Sequence, residues 1–180
     1  MVNEQGTHHA DLTSFASSLT KSETLSQLVE TYLALSTDQP NWVCNLSNAS
    51  SLLWHAYHSL NIPVNWAGFY VIDPKSPTDQ LILGPFQGKV ACQTIRFNRG
   101  VCGAAAETKL TQLVPNVEEF PGHIACDGET KSEIVVPILD KNGVLRGVLD
   151  IDCLALEGFD ETDKEELELL AKSIGETCEW

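Results

Sequence analysis

The sequence is poor in positive charge. Its 180 residues contain 11 Lys and Arg against 25 Asp and Glu, which gives a formal net charge of −14 at pH 7. A surface with this balance repels phosphate backbones and anionic lipid, and no cluster of Lys and Arg along the chain reverses it locally. The sequence therefore predicts neither a nucleic acid nor a membrane surface as a partner.

Long apolar runs are absent as well. A membrane-spanning helix needs about 20 consecutive apolar residues. A secretory signal needs a basic start followed by an apolar run, whereas this chain starts with polar and acidic residues. We expect a cytoplasmic location, from which the nucleus is also accessible.

Several common site motifs are missing. The chain has no Cys-x-x-Cys or His-x-x-x-His pair, no phosphate-binding glycine fingerprint and no Gly-x-Ser-x-Gly elbow. These absences disfavour a structural zinc site, a nucleotide-binding loop and a serine hydrolase. Zinc held by His123 and Cys126 together with Cys102 or Cys92 stays a weak alternative, as in an interaction module. We predict no metal and no cofactor.

Apolar periodicity predicts a domain that mixes helices and strands. A capping box at Thr20–Glu23 opens a first helix, a second amphipathic helix ends near Asn61, and a last helix is capped by Asp160. Runs of aromatic and β-branched residues between them indicate strands. The predicted strands are Val64–Ile72, Leu81–Leu83, Thr94–Phe97, Thr111–Val114, Glu133–Leu139 and Val144–Cys153, with a short helix at Gly100–Glu107. The order is therefore ααβββαβββα.

This order predicts an α+β fold. Consecutive hairpins give a mainly antiparallel sheet of about six strands, with the N- and C-terminal helices packed on one face and the functional site on the other. We expect one domain over residues 19–180, after a flexible arm over residues 1–18. The stretch Pro115–Ser132 has turn residues but no sustained period, and a connection of that length is usually a binding or active-site loop.

Three of the six cysteines have neighbours that suggest reactivity. Cys102 lies at the start of the short helix, where unpaired amides and the helix dipole would stabilise a thiolate, although a buried, space-filling role fits its neighbouring glycines equally well. Cys126 lies in the long loop beside His123 and near Lys131, which would favour a thiolate if they face it. Cys92 precedes a strand and could approach either partner, but taken alone it is more often a core residue.

The other three cysteines, Cys44, Cys153 and Cys178, fall within helix or strand patterns. We interpret all three as structural, because free cysteines in proteins are most often simply buried.

An acidic cluster is predicted on the last hairpin. Asp150 and Asp152 are two residues apart on one strand and so project from the same face, and Glu133 opens the neighbouring strand. A solvated acidic face is the simple alternative, but the apolar character of both strands favours burial. Like charges brought together raise at least one pKa, and a carboxyl group that stays neutral near pH 7 can donate a proton.

Two aromatic residues share one face of the first strand. Trp66 and Tyr70 flank Gly68, which we expect to leave room for a ligand between the two rings. Aromatic rings contact thioethers and sulfonium-like centres well. Taken alone, such a pair is more often part of the core.

Six segments of the chain, in order and at compatible spacing, carry a family resemblance. They are Asn65–Tyr70, Gly84–Cys92, Gly100–Gly103, His123–Asp127, Ser132–Pro137 and Gly147–Asp152. Together they resemble the free methionine-(R)-sulfoxide reductases, and the fungal members most of all. The resemblance implies a GAF domain that works as an enzyme, a homodimer, no cofactor, and thioredoxin as electron donor. It places the reactive thiols at Cys92, Cys102 and Cys126, and the substrate pocket at Trp66, Tyr70, Glu133, Asp150 and Asp152.

A mechanism follows for a free methionine sulfoxide substrate. The thiolate of Cys126 or Cys102 attacks the sulfoxide sulfur, Glu133 protonates the oxygen, and the attacking cysteine becomes a sulfenic acid that Cys92 resolves as a disulfide. Asp150 and Asp152 would pair with the substrate ammonium, and backbone N–H groups of the long loop with its carboxylate. The competing interpretation is a non-catalytic GAF sensor whose cysteines act at most as a redox switch.

Overall fold

The elements of the chain follow the predicted order. A computed structural model describes residues 9–76, 78–122 and 128–180. The helices are α1 (Lys21–Ser36), α2 (Trp42–Ser59), α3 (Gly100–Thr108) and α4 (Glu161–Thr177), and the strands are β1 (Val64–Ile72), β2 (Gln80–Gly88), β3 (Thr94–Arg96), β4 (Gln112–Val114), β5 (Ser132–Leu139) and β6 (Leu145–Cys153). Short 3-10 turns lie at His9–Thr13 and Val117–Glu119. The predicted order ααβββαβββα is confirmed.

The six strands form one sheet in the order β3-β2-β1-β6-β5-β4, and every neighbouring pair is antiparallel. Strands β1 and β6 lie at its centre, flanked by β2 and β5, and the side chains of β1, β5 and β6 are largely buried on both faces. In β1, Ala67, Phe69 and Val71 pack towards one face, whereas Trp66 and Tyr70 pack towards the other. The sheet therefore separates two apolar clusters.

Helices α1, α2 and α4 cover one face of the sheet. The capping box of α1 forms as predicted, with Thr20 Oγ1 accepting from Glu23 N and Thr20 N donating to Glu23 Oε2. Beneath the helix starts, the fully buried Asp163 of α4 accepts from Tyr57 Oη at 2.8 Å and from Lys21 Nζ at 2.7 Å. This carboxylate joins α1, α2 and α4 on the face opposite the predicted site.

Strand β2 is longer than its sequence suggested. Only Leu81–Leu83 show strand character in sequence, yet the strand runs to Gly88 and pairs with β1 through an irregularity between Gly68 and Tyr70. Gly84, Pro85 and Gly88 weaken the strand pattern, because glycine and proline are characteristic of turns and bulges. Here they lie in the irregular half of the pairing.

The predicted N-terminal arm is described from residue 9 onward. Residues 9–13 form a 3-10 turn, and Phe15 packs against the helix-side core. The domain boundary at residue 19 stays a prediction. Within the described residues, no helix has both the length and the apolar character needed to span a bilayer.

The contact between α4 and β5 generates a stability prediction. A Cβ added at Gly175 of α4 would overlap the carbonyl oxygen of Leu139. We expect Gly175→Ala to lower the free energy of unfolding by about 1–3 kcal/mol through overpacking, although alanine is favoured over glycine in helices by about 1 kcal/mol. Urea unfolding measures the change, with Lys172→Ala on the exposed side of α4 as the control. A stabilised Gly175→Ala variant would contradict the close contact.

Candidate active site

A cavity of about 370 Å³ opens on the face of the sheet opposite α1, α2 and α4. Strands β1, β5 and β6 form its floor, and α3 with the segment 89–96 forms its wall. Its lining includes Trp66, Tyr70, Cys92, Cys102, Glu133, Asp150 and Asp152. The last predicted site residue, Cys126, lies outside the described residues, as does His123. The structure thus brings together in one cavity every predicted site residue that it describes.

Strand register explains why the three acids meet. Glu133 of β5 lies opposite Asp152 of β6, and Asp150 follows two residues earlier on the same face. Trp66 of β1 lies opposite Asp152 from the other side. The central position of these strands leaves Glu133 only 7% exposed and Asp150 only 5% exposed. Glu133 and Asp150 are therefore buried in the floor of the cavity, and Asp152 is partly buried there, rather than all three being spread on a solvated surface.

Burial raises the pKa values of Glu133 and Asp150. Desolvation is the main reason that the pKa of Glu133 lies well above its usual value, and the neighbouring charges of Asp150 and Asp152 raise it further. Desolvation also raises the pKa of Asp150 to about 7, although hydrogen bonds from Cys102 and Glu133 lower it. Both shifts have the direction expected from the sequence, with burial as a larger cause than like charge.

Cys102 is at the start of α3 as predicted, where a stabilised thiolate and a buried, space-filling role were equally open, and its side chain is buried. Its Sγ donates a hydrogen bond to Asp150 Oδ2 at 3.2 Å. Burial raises the pKa of the Cys102 thiol well above its usual value, and the charges of Asp150 and Glu133 raise it further. A helix start offers only about half a positive charge, which desolvation and the adjacent acids outweigh. The contacts of Cys102 therefore favour the neutral thiol as a donor to Asp150.

The remaining described cysteines divide as follows. Cys92 borders the cavity and is disulfide-bonded. Cys153 and Cys178 are free and buried, which agrees with a structural role. Cys44 is also free, but it is exposed, so the expectation that it fills the core is wrong. Helix α2 begins at Trp42, earlier than its apolar stripe, which leaves Cys44 in a first turn that faces solvent.

Aromatic rings form one wall of the cavity. Trp66 stacks on Tyr70 with ring centroids 5.7 Å apart and on Phe86 with centroids 5.2 Å apart. Phe86 also corrects the expected role of Gly68, since a Cβ there would overlap Phe86 Cβ. The space above Gly68 is thus filled by strand β2, and a ligand would contact Trp66 and Tyr70 from the cavity side.

Thr130 and Lys131, near the end of the long loop, are held by contacts with other side chains. Thr130 lines the cavity, is buried, and accepts a hydrogen bond from Asn65 Nδ2 at 3.0 Å. Lys131, which we expected to favour a thiolate at Cys126 if it faced it, forms an ion pair with Glu118 at 3.2 Å. Its charge is therefore shared with a surface carboxylate.

Sequence reasoning missed the basic residues at the mouth of the cavity. Lys89, Arg96 and Arg99 all line it, above the acidic floor. Lys89 forms an ion pair with Glu129, and Arg96 lies 3.7 Å from Asp79. The sequence feature that could have revealed them is that Lys89 is close in the chain to Cys92, and Arg99 to Cys102. Single cations scattered along a chain, however, do not form a recognisable cluster in sequence.

A metal ion would find suitable ligand atoms in the same floor. Atoms of Cys102, Glu133 and Asp150 lie within 4.8 Å of one another. Cys102 donates a hydrogen bond to Asp150, so these side chains also form hydrogen bonds with one another without a metal ion.

The raised pKa of Asp150 generates a prediction for stability. Between about pH 4 and 7 the native protein keeps a proton that the unfolded chain has lost, so this group lowers the free energy of unfolding as pH rises through that window. Asp150→Asn cannot ionise. We therefore expect the difference in unfolding free energy between Asp150→Asn and the parent protein, variant minus parent, to be more positive at about pH 8 than at about pH 5. Urea unfolding at both pH values measures this, with the exposed Glu165→Gln as control. A difference that is independent of pH would contradict it.

Comparisons with known proteins agree with this site. The family profile described as "GAF domain" matches residues 47–178. The chain is 62% identical over 178 residues to the free methionine-R-sulfoxide reductase of Saccharomyces cerevisiae, covering 99% of this chain and 98% of that protein. A solved structure described as "Structure of the GAF domain" has a TM-score of 0.95 at 61% identity, covering 99% of this chain and 100% of the other. The free methionine-R-sulfoxide reductase of Neisseria meningitidis in complex with its substrate has a TM-score of 0.80 at 38% identity, with 90% and 92% covered. This chain therefore belongs to the GAF domain family and, within it, to the free methionine-R-sulfoxide reductases.

Proposed function

We propose that this protein reduces free methionine (R)-sulfoxide to methionine, using cysteine thiols as the reductant. The observation that carries the proposal is one cavity in which two cysteines lie beside a buried, protonated acid and an aromatic wall. The yeast and Neisseria relatives bear the name of this activity, and the latter was solved with its substrate.

The chemistry needs a sulfur nucleophile and a proton donor. Oxide is too basic to leave sulfur at neutral pH, so the sulfoxide oxygen must be protonated as the thiolate attacks. Glu133 supplies that proton, since burial keeps its carboxyl group neutral. The attacking cysteine sulfur forms a transient bond to the substrate sulfur. The protonated oxygen then moves to the cysteine sulfur as the S–S and S–O bonds to the substrate sulfur break, which leaves a sulfenic acid on the cysteine and releases methionine.

We assign the attack to Cys126. Cys102 is a neutral thiol held by Asp150, which makes it a poor nucleophile and a better proton relay. Cys92 is the resolving residue: its thiol condenses with the sulfenic acid, forms a disulfide and releases water. The disulfide bond at Cys92 and its place at the cavity edge support this role. An external dithiol, for which we propose thioredoxin, then reduces the disulfide by exchange.

Asp150 and Asp152 bind the substrate ammonium in this proposal. Both line the cavity floor, two residues apart on β6. An incoming ammonium favours the charged form of an adjacent carboxyl group, so Asp150 would ionise as substrate enters. The Trp66 and Tyr70 rings would then contact the thioether end.

We also propose that the protein works as a homodimer, and that it uses neither a metal nor a cofactor. The helix layer leaves two leucines exposed, Leu33 of α1 and Leu169 of α4, as well as Val43 of α2. These exposed leucines support an additional contact on that layer, on the side of the sheet away from the cavity.

Single substitutions of the cysteines test the thiol roles. With thioredoxin, its reductase and free methionine (R)-sulfoxide, we expect Cys126→Ser to abolish turnover. Cys92→Ser should release one equivalent of methionine per enzyme and then stop, because the sulfenic acid is not resolved. Cys102→Ser, which keeps a hydroxyl donor to Asp150, should retain part of the turnover.

Cys44→Ser is the matched control, since Cys44 is exposed and outside the cavity. A Cys126→Ser variant that still turns over, alongside an inactive Cys102→Ser, would exchange the two roles. Tight binding of the sulfoxide without any turnover by the parent protein would instead favour a sensor.

Substitution of the proposed acid provides a second test. Glu133→Gln keeps the shape of the side chain but removes its acidic proton, so we expect kcat to fall by about 10²–10⁴-fold. Single-turnover release of methionine measures the step without the recycling reaction. Glu165→Gln, an exposed change in α4 on the other face of the sheet, is the control. Unchanged single-turnover rates for Glu133→Gln would remove Glu133 from the proton transfer.

A further inference from the structure

The cavity presents an electrostatic problem for a free amino acid. Its floor carries Asp150 and Asp152, which suit an ammonium group but repel the carboxylate of the same zwitterion. The carboxylate therefore needs a positive group at some distance from the floor. The mouth of the cavity is where the lining residues change from acidic to basic.

The cations at the mouth are not equivalent. Lys89 forms an ion pair with Glu129, and Arg96 is paired with Asp79. Arg99 also lines the cavity, but it has no ion pair with any residue in the ranges 9–76, 78–122 and 128–180. In a protein with 25 acidic residues, Arg99 is thus the lining cation whose charge is not already neutralised by a described carboxylate.

The backbone around Arg99 adds hydrogen-bond donors. Arg99 is the N-cap residue of α3, and its side chain makes no capping hydrogen bond. The next residues, Gly100 and Val101, line the same cavity. The first N–H groups of a helix have no partner within the helix, so they add to the attraction that a guanidinium exerts on an anion.

Buried polar atoms show independently that the cavity is shaped for a polar ligand. The indole Nε1 of Trp66 and the Oδ1 oxygen of Asp150 are both buried and find no hydrogen-bond partner among the described residues. Trp66 is 5% exposed, as is Asp150, and both line the cavity. A ligand that offers an acceptor to Trp66 and a donor to Asp150 would satisfy both atoms.

We propose that the Arg99 guanidinium binds the α-carboxylate of the substrate and so restricts the enzyme to unlinked amino acid sulfoxides. A guanidinium matches a carboxylate with two parallel hydrogen bonds. A methionine sulfoxide within a peptide chain has neither a free carboxylate for Arg99 nor a free ammonium for the aspartates. This assignment rests on the proposed reductase function and adds to it the residue that recognises the carboxylate.

The test changes the substrate and the enzyme together. Free L-methionine (R)-sulfoxide is compared with its carboxamide, which keeps the ammonium and the sulfoxide but has no negative charge. We expect the parent protein to prefer the acid in kcat/KM, and Arg99→Gln to raise KM for the acid by about 10–100-fold, the range for a hydrogen bond to a charged group. The carboxamide should be affected far less, so that the preference largely disappears. Arg99→Lys should restore part of it.

Arg96→Gln is the matched control, because it removes an arginine from the same mouth whose partner is Asp79. It should keep the acid-to-carboxamide ratio of the parent protein. Equal losses on both substrates in Arg99→Gln, or an unchanged ratio, would overturn the assignment. Failure of the parent protein to reduce either compound would reject the reductase function instead, so the two failures are distinguishable.

Discussion

Burial of acidic side chains beside a thiol is the constraint on which the site depends. Glu133 and Asp150 lie on central strands where water is largely excluded, and their pKa values rise because the charged form is poorly solvated. Burial and the same acids also raise the pKa of the Cys102 thiol, which donates a hydrogen bond to Asp150. Protons are thereby held where an oxygen atom has to be protonated. If these acids were on an exposed strand, they would be ionised at neutral pH and could not act as donors.

A second buried carboxylate shows what distinguishes a functional acid from a structural one. Asp163 is fully buried, but it receives hydrogen bonds from Lys21, Tyr57 and the backbone N–H of Asp160. Its charge is compensated, and it joins three helices. Asp150 lacks such a cation and keeps one oxygen without a partner among the described residues. A buried acid that the fold leaves uncompensated is free to respond to a ligand, which is typical of functional sites.

Much of the fold and the grouping of site residues could be predicted from the sequence, because both depend on local periodicity. Residues two apart on a strand must share a face, so Asp150 and Asp152 were placed together correctly, and apolar neighbours indicated that they were buried. The ionisation of Cys102 could not be predicted, since it depends on Asp150, which is 48 residues away in the chain. The contact of Phe86 with Gly68 and the basic mouth also arise from tertiary packing across strands and loops. Local pattern therefore predicted positions better than it predicted charge states.

In the proposed binding mode, the direction of charge across the cavity gives the substrate a single orientation. Asp150 and Asp152 at the floor attract the ammonium, Arg99 at the mouth attracts the carboxylate, and the apolar side chain is left to the ring faces of Trp66 and Tyr70. Since ammonium and carboxylate are attached to the same carbon, fixing both leaves the side chain little freedom to turn. The sulfoxide is then presented to Glu133 in one pose, and restricted rotation of this kind is a large part of how binding accelerates a reaction. Selection of a free amino acid and positioning of its sulfur thus follow from the same pair of charges.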